Sequence, residues 1–141
     1  MKYAVSACLI GINCKYDGGN NAHQQLQSFL QDKNYIVVCP EVAGGMGIPR
    51  IPCEISNGVV LNQKNEDMSA CFKLGAQKEL LKMKKENVDV VILQPRSPSC
   101  GIGEIYDGTF TKTLVKRNGI FAQACIDENI CVMKPDDIIS L

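Results

Sequence analysis

The sequence predicts an α/β protein: a single-domain, Rossmann-like three-layer fold with a mainly parallel sheet of about four to five strands. Three observations carry that expectation. Short apolar runs rich in valine and isoleucine alternate with longer segments of helical periodicity, in the order strand, helix, strand, long helix, strand, helix, strand. Several of these runs stop at glycine or proline, where the chain is forced to turn away. At 141 residues the chain has room for one core of ordinary size, so residues 1–141 are read as one domain.

Residues 3–10, YAVSACLI, read as the first strand, broken by Gly11. Residues 13–21, NCKYDGGNN, form a loop by composition, because Asp-Gly and Gly-Asn are turn chemistry. Over residues 22–33 the positions Leu26, Phe29 and Leu30 recur at helical spacing, and Asn34 ends that helix. Ile36, Val37 and Val38 make a second short strand, which runs into Cys39-Pro40-Glu41. The stretch at 42–55, VAGGMGIPRIPCEI, is so broken by glycine and proline that no regular structure is expected. A small hairpin is expected over 56–63 around Asn57-Gly58.

The longest helix is placed at 66–87, with Met68, Cys71, Phe72, Ala76, Leu80 and Met83 on one face. Residues 88–93 give the third strand, and 105–115 are extended with a turn at Asp107-Gly108. A last helix at 119–128 turns Ile120, Ala124 and Cys125 inward, and residues 130–133 form a fourth strand closed by Pro135. The tripeptide Tyr-Asp-Gly occurs twice, at 16–18 and 106–108, as two turns and not as a repeat.

Bulk composition removes several function classes. Lys plus Arg (15) equals Asp plus Glu (15), so no charge excess recruits nucleic acid or an anionic membrane. Aromatic residues make up 6% of the chain and are not interleaved with basic ones, as stacking on single strands requires. No apolar run approaches the roughly 20 residues that span a bilayer. The start, MKYAVSACLIG, is too short and too soon interrupted for a signal peptide, so the cytoplasm is the expected location.

Eight cysteines, at 8, 14, 39, 53, 71, 100, 125 and 131, are the abnormal number. Without a secretion signal they do not read as disulfides, and no CxxC pair supports a zinc ribbon or a thioredoxin-type site. They are buried small hydrophobes, or ligands gathered by the fold. Residues 94–110, QPRSPSCGIGEIYDGTF, favour the second reading for one of them. Pro95 and Pro98 stiffen the backbone after a buried strand, and Gly101 and Gly103 permit close backbone beside Cys100. In a parallel sheet ligands bind at the carboxyl ends of the strands. Cys8, Cys39 and Cys100 each fall at or just past such an end. Three thiols plus a vacant position is how catalytic metals are presented, and thiolates are the usual ligands of iron–sulfur clusters.

Three blocks, SACLIGINCKYDGG (6–19), VVCPEVAGGMGIPR (37–50) and RSPSCGIGEIYDGTF (96–110), resemble in order and spacing the signatures of the 2-thiouracil desulfidase-like family, domain of unknown function 523. The resemblance implies a [4Fe-4S] cluster held by Cys8, Cys39 and Cys100, with one iron open to the sulfur of a small thiolated substrate. It implies non-redox desulfuration, with Glu41 of the CPE motif as general base on water. Ser97 is the implied hydrogen-bond or proton donor, and Ser99 is the second choice.

Arg50, Arg96 and Asp17 lie in the matching blocks and are candidate substrate contacts. For the arginines, two of only three in the chain, a structural pair with a carboxylate is an equal alternative. Asp17 is a turn former first. Cys71, Cys125 and Cys131 are expected to serve packing. Cys53 departs from the small residue usual in the family, and Cys14 is either a ligand or a loop anchor. His23 is expected on a solvated helix face, and the direction of Glu104 is open. Two alternatives stand beside the enzyme: a non-catalytic iron–sulfur or zinc module acting as sensor or carrier, and a plain thiol enzyme using Cys100. The latter lacks a histidine base.

Overall fold

A computed structural model describes residues 1–140. Strand β1 (Lys2–Ser6) runs into a single 3-10 turn (Ala7–Ile10), and helix α1 (Gln24–Leu30) and strand β2 (Asn34–Val38) follow. Next come a one-turn helix α2 (Pro40–Ala43), the hairpin β3 (Cys53–Ser56) and β4 (Val59–Asn62), and the long helix α3 (Ser69–Lys85). The remainder is β5 (Val90–Ile92), β6 (Ile105–Tyr106), β7 (Leu114–Val115), α4 (Ile120–Asp127), β8 (Cys131–Met133) and α5 (Pro135–Ile139).

The main sheet has four parallel strands in the order β2-β1-β5-β8, and β3-β4 and β6-β7 are separate antiparallel hairpins. Residues alternate between two cores, as the pleat requires. Tyr3, Val5, Val90 and Ile92 face Leu26 and Leu30 of α1 and Ile138 of α5. Ala4 and Val91 face Ala76 and Met83 of α3 and Phe121, Ala122 and Cys125 of α4. The three layers are therefore α1 and α5, the sheet, and α3 and α4. The chain leaves β1 toward one face and β5 toward the other, so the carboxyl ends of these two neighbours form a switch point with an open crevice.

Three boundaries differ from the sequence expectation, and each difference bears on the site. The first strand ends at Ser6 rather than Ile10. Gly11 takes a left-handed conformation at φ 92°, and its N–H closes the turn on the Ala7 and Cys8 carbonyls. An apolar run does not by itself distinguish a strand from a strand plus a buried turn. Cys8 therefore sits in the turn rather than on the strand. Asn34, expected to end a helix, instead opens β2 opposite Lys2.

The stretch at 42–55, expected to be irregular throughout, is ordered at both ends. Gly44, Gly45 and Met46 donate to the carbonyls of Pro40, Val42 and Glu41, and Cys53 to Ile55 lie in β3. One of its glycines, Gly44, serves close packing against a glycine of α3. A Cβ on Gly75 of α3 would overlap the Pro40 carbonyl, and one on Gly44 would overlap the Cys71 carbonyl. The expected hairpin forms, with Asn57 and Gly58 at φ 51° and 80° as a two-residue connection requires.

Gly75→Ala is expected to lower unfolding free energy by about 1–3 kcal/mol, the usual cost of overpacking. Gln77→Ala, on the exposed face of the same helix, is expected to stay within about 0.5 kcal/mol. Urea denaturation of both variants checks the contact, and equal stabilities would mean that α2 does not rest on the bare backbone of α3.

Candidate active site

A cavity of about 500 Å³ opens at the carboxyl ends of the sheet, and Cys8, Cys14, Cys39, Cys100, Glu41 and Ser97 all line it. Each thiol is delivered by a different device. Cys8 rides the 3-10 turn after β1, and the loop that follows folds back so that Asn21 N–H reaches the Cys8 carbonyl at 2.9 Å. Cys39 is the N-cap of α2, with Pro40 at the first helical position, where its missing N–H costs nothing. Its own N–H no longer pairs in the sheet and donates to Glu79 Oε2 at 2.8 Å. Glu79 is 7% exposed, within the Phe72, Ala76, Met83 stripe of α3. Lys82 braces it at 3.2 Å and also donates to the Val37 carbonyl.

Cys100 belongs to a compact turn fastened to the start of α4. Helix N-termini leave N–H groups without partners, and Gly119 offers no side chain to cap them. Backbone carbonyls of the turn do so instead. Ile120 N–H donates to the Pro98 carbonyl at 2.9 Å, and Phe121 and Ala122 N–H donate to the Ser99 carbonyl at 2.9 and 3.1 Å. Ser97 Oγ accepts from the N–H groups of Ser99 and Cys100, both at 3.0 Å. This geometry separates the two serines. Ser97 lines the cavity, whereas Ser99 does not: it is fully buried, and its hydroxyl has no hydrogen-bond partner.

The electrostatics divide the thiols. The Cys14 thiol hydrogen-bonds the Cys39 and Cys8 sulfurs, which with burial pushes its own ionisation far above the ordinary range. The Cys14 contact in turn lowers Cys39, against burial and with help from the Val42 N–H and Arg50, to about 7. Hydrogen bonding from Cys14 also lowers Cys8, with Asn21 assisting. Burial raises Cys100, and the Ser6 hydroxyl on its sulfur opposes that rise. Glu41 is raised by burial and held back by Arg50.

Arg50 lines the cavity, but its donors are engaged elsewhere. Nε meets Glu41 Oε1 at 3.3 Å, and the two terminal nitrogens meet the carbonyls of Gly47 at 3.2 Å and Cys14 at 2.8 Å. The structural pair with a carboxylate therefore forms. Arg96 is at the cavity wall, half exposed and 3.7 Å from Glu104, which settles the direction of Glu104. Asp17 is not brought to the cavity: its carboxylate caps the Gly19 N–H at 2.9 Å, as a turn former does.

Other residues depart from their expected settings. His23 is no solvated bystander. Its Nδ1 accepts from Leu26 N–H to cap α1, and its Nε2 lies 3.2 Å from Asp136. Cys125 is buried in the core and Cys71 half-buried, as packing requires, but Cys131 is exposed at the edge strand β8. Cys53 is buried on the cavity wall. Sequence motifs alone do not single out Glu79 and Glu54. The available signal was a carboxylate inside an apolar pattern: Glu79 on the buried face of α3, and Glu54 between Cys53 and Ile55. Glu54 is 9% exposed and accepts from Gly108 and Phe110 N–H at 3.0 and 3.1 Å, tying down the 107–113 loop that carries Phe110 and Lys112 to the cavity.

The donor set is chemically narrow. Thiolates favour soft metals and iron–sulfur clusters. The thiols share one cavity wall, and among the described residues no three His, Cys, Asp or Glu side chains are grouped to hold a single metal ion. By the chemistry of the donor set, three thiols on one cavity wall fit an iron–sulfur cluster.

Glu54→Ala is expected to cost about 1.5–3 kcal/mol, the range for hydrogen bonds to a charged group. It is also expected to accelerate hydrogen exchange at the Gly108 and Phe110 amides. Unchanged protection there would show that the loop holds itself without Glu54.

Comparison with known proteins places this architecture. The family model described as 2-thiouracil desulfurase matches residues 4–137. The Bacillus subtilis (strain 168) protein YbbK is 36% identical over 128 residues, 84% of this chain and 85% of that protein. The solved structure of the [4Fe-4S]-dependent thiouracil desulfidase TudS superposes with a TM-score of 0.92 at 32% identity, covering 99% of this chain and 94% of that one.

Proposed function

The chain belongs to the 2-thiouracil desulfurase family, and on that premise we propose that it is a [4Fe-4S]-dependent desulfidase. It removes sulfur from a thiolated pyrimidine or similar small thiocarbonyl compound without net redox chemistry. The observation that carries this reading is the meeting of Cys8, Cys39 and Cys100 with Glu41 and Ser97 on the wall of one cavity. Residues 1–141 act as one such domain.

Cys8, Cys39 and Cys100 would hold the cluster through three thiolates. Bound there, it would supply a Lewis-acidic iron for the substrate's sulfur. The chain's own residues do the rest. Arg50 engages Glu41 Oε1 and fixes the carboxylate, leaving Oε2 to take a proton from water attacking the thiocarbonyl carbon. Ser97 Oγ already accepts two backbone N–H bonds, so its own proton is the one it can direct into the cavity toward the reacting group. Water supplies the new oxygen, sulfur leaves as hydrosulfide, and no electron acceptor is required. Arg96 at the rim contacts the substrate. Arg50 acts through Glu41, and Ser99 and Asp17 maintain their turns. The proposed setting is the cytoplasm, with a small diffusible substrate and no nucleic acid; among the described residues no helix is long and apolar enough to cross a membrane.

Protein purified without oxygen and given 2-thiouracil is expected to release uracil and sulfide. Glu41→Gln is expected to lower kcat by about 10²–10⁴-fold, the range for losing a positioned base, with iron content unchanged. Cys131→Ser is expected to match wild type in both. Product analysis by chromatography with a parallel iron count checks these statements. A Glu41→Gln enzyme with full turnover would remove the base assignment, and iron-loaded protein with no product would leave a binding module.

A further inference from the structure

The three ligand sulfurs are not bare in the fold. Asn21 Nδ2 donates to Cys8 Sγ at 3.6 Å, within the longer reach of sulfur acceptors. The same residue's backbone N–H holds the Cys8 carbonyl at 2.9 Å, so the amide is docked on the cysteine at two points. Ser6 is 3% exposed at the end of β1, and its Oγ accepts from Gln94 N–H at 3.0 Å across the switch point. That bond leaves the Ser6 proton free, and Ser6 and Cys100 line the same cavity, where the Ser6 hydroxyl opposes the rise that burial imposes on the Cys100 thiol. For Cys39 the donor is the N–H of Val42, one of the unpaired groups in the first turn of α2. Cys14 adds a weak thiol donor shared by Cys8 and Cys39.

We propose that Asn21 and Ser6 are positioning residues for the cluster, each donating a hydrogen bond to one ligand sulfur and withdrawing negative charge from it. The inference rests on the desulfidase reading and deepens it. Hydrogen bonds to ligand sulfurs are among the levers that set cluster potential. Groups that orient first ligands commonly change metal retention by 10–100-fold when lost. In this site the consequence is an iron that attracts the substrate's sulfur more strongly than three unassisted thiolates would allow. The sequence carries no motif for this, because Ser6 and Asn21 are polar residues that only the fold brings to sulfur.

The test uses anaerobically purified protein with its native cluster and compares wild type with Asn21→Ala, Ser6→Ala and Ser6→Thr. Iron and sulfide counts are followed by a mediated redox titration and by the rate of iron loss to a chelator. Asn21→Ala leaves the backbone bond to Cys8 intact, so it removes only the side-chain donor. The expected result is a midpoint potential more negative than wild type in both alanine variants, with iron loss about 10-fold faster or more. Ser6→Thr is expected to restore both values. Wild-type protein that binds no iron overturns the functional reading and this inference with it. A wild-type cluster whose potential and iron release are the same in Asn21→Ala and Ser6→Ala overturns the inference alone.

Discussion

The site depends on a contact made without side chains. Helix α2 lies against α3 where Gly75 faces the Pro40 carbonyl and Gly44 faces the Cys71 carbonyl, with no room for a Cβ at either glycine. That approach carries Cys39 and Glu41 over the carboxyl end of the sheet, and the Glu79 carboxylate fixes it by receiving the Cys39 N–H at 2.8 Å. A buried carboxylate with no partner would be costly. Here Lys82 and a backbone donor satisfy it. Helix α3 is thus the rigid member against which the most heavily glycine-substituted part of the chain is set.

The other half of the wall uses the same economy of backbone. The free N–H groups of α4 are satisfied by carbonyls of residues 98 and 99, so helix and cysteine turn position each other. Between the halves lies the switch point of β1 and β5, bridged by Ser6 and Gln94. The cavity places an ion pair of Glu41 and Arg50 among five thiols. A buried charge of either sign is expensive alone and tolerable when paired and hydrogen-bonded. Arg50, with three acceptors, meets that condition. The arrangement gives a carboxylate, a hydroxyl and soft ligands in one partly dry space, which is what cleavage of a carbon–sulfur bond by water needs.

Much of this was legible in the sequence, for reasons that also show where reading stops. The strands at β2, β5 and β8 announced themselves as short continuous apolar runs, which in the central β5 reflect burial on both faces. The convergence of Cys8, Cys39 and Cys100 followed from the rule for strand ends, although Cys8 reached its place through a turn that an apolar run conceals. The order within 42–55 is hidden because Gly44 serves contact with α3, and local composition cannot reveal a tertiary partner. Ser97 and Ser99 are chemically alike and two residues apart. Only the turn geometry shows that one faces the cavity and the other the core. Glu79 and Glu54 were visible as carboxylates in apolar company, and what they hold, N–H groups 40 or more positions away, was not.

We infer that Cys8, Cys39 and Cys100 together hold four irons and leave one of them free for the substrate. Mössbauer spectra of anaerobic, iron-isotope-enriched protein, recorded with and without 2-thiouracil, test it most directly. The account predicts one iron subsite distinct from the other three, whose signal alone shifts when the thiolated compound is added. Four equivalent subsites that ignore the compound, or iron in a single-ion site, would contradict it.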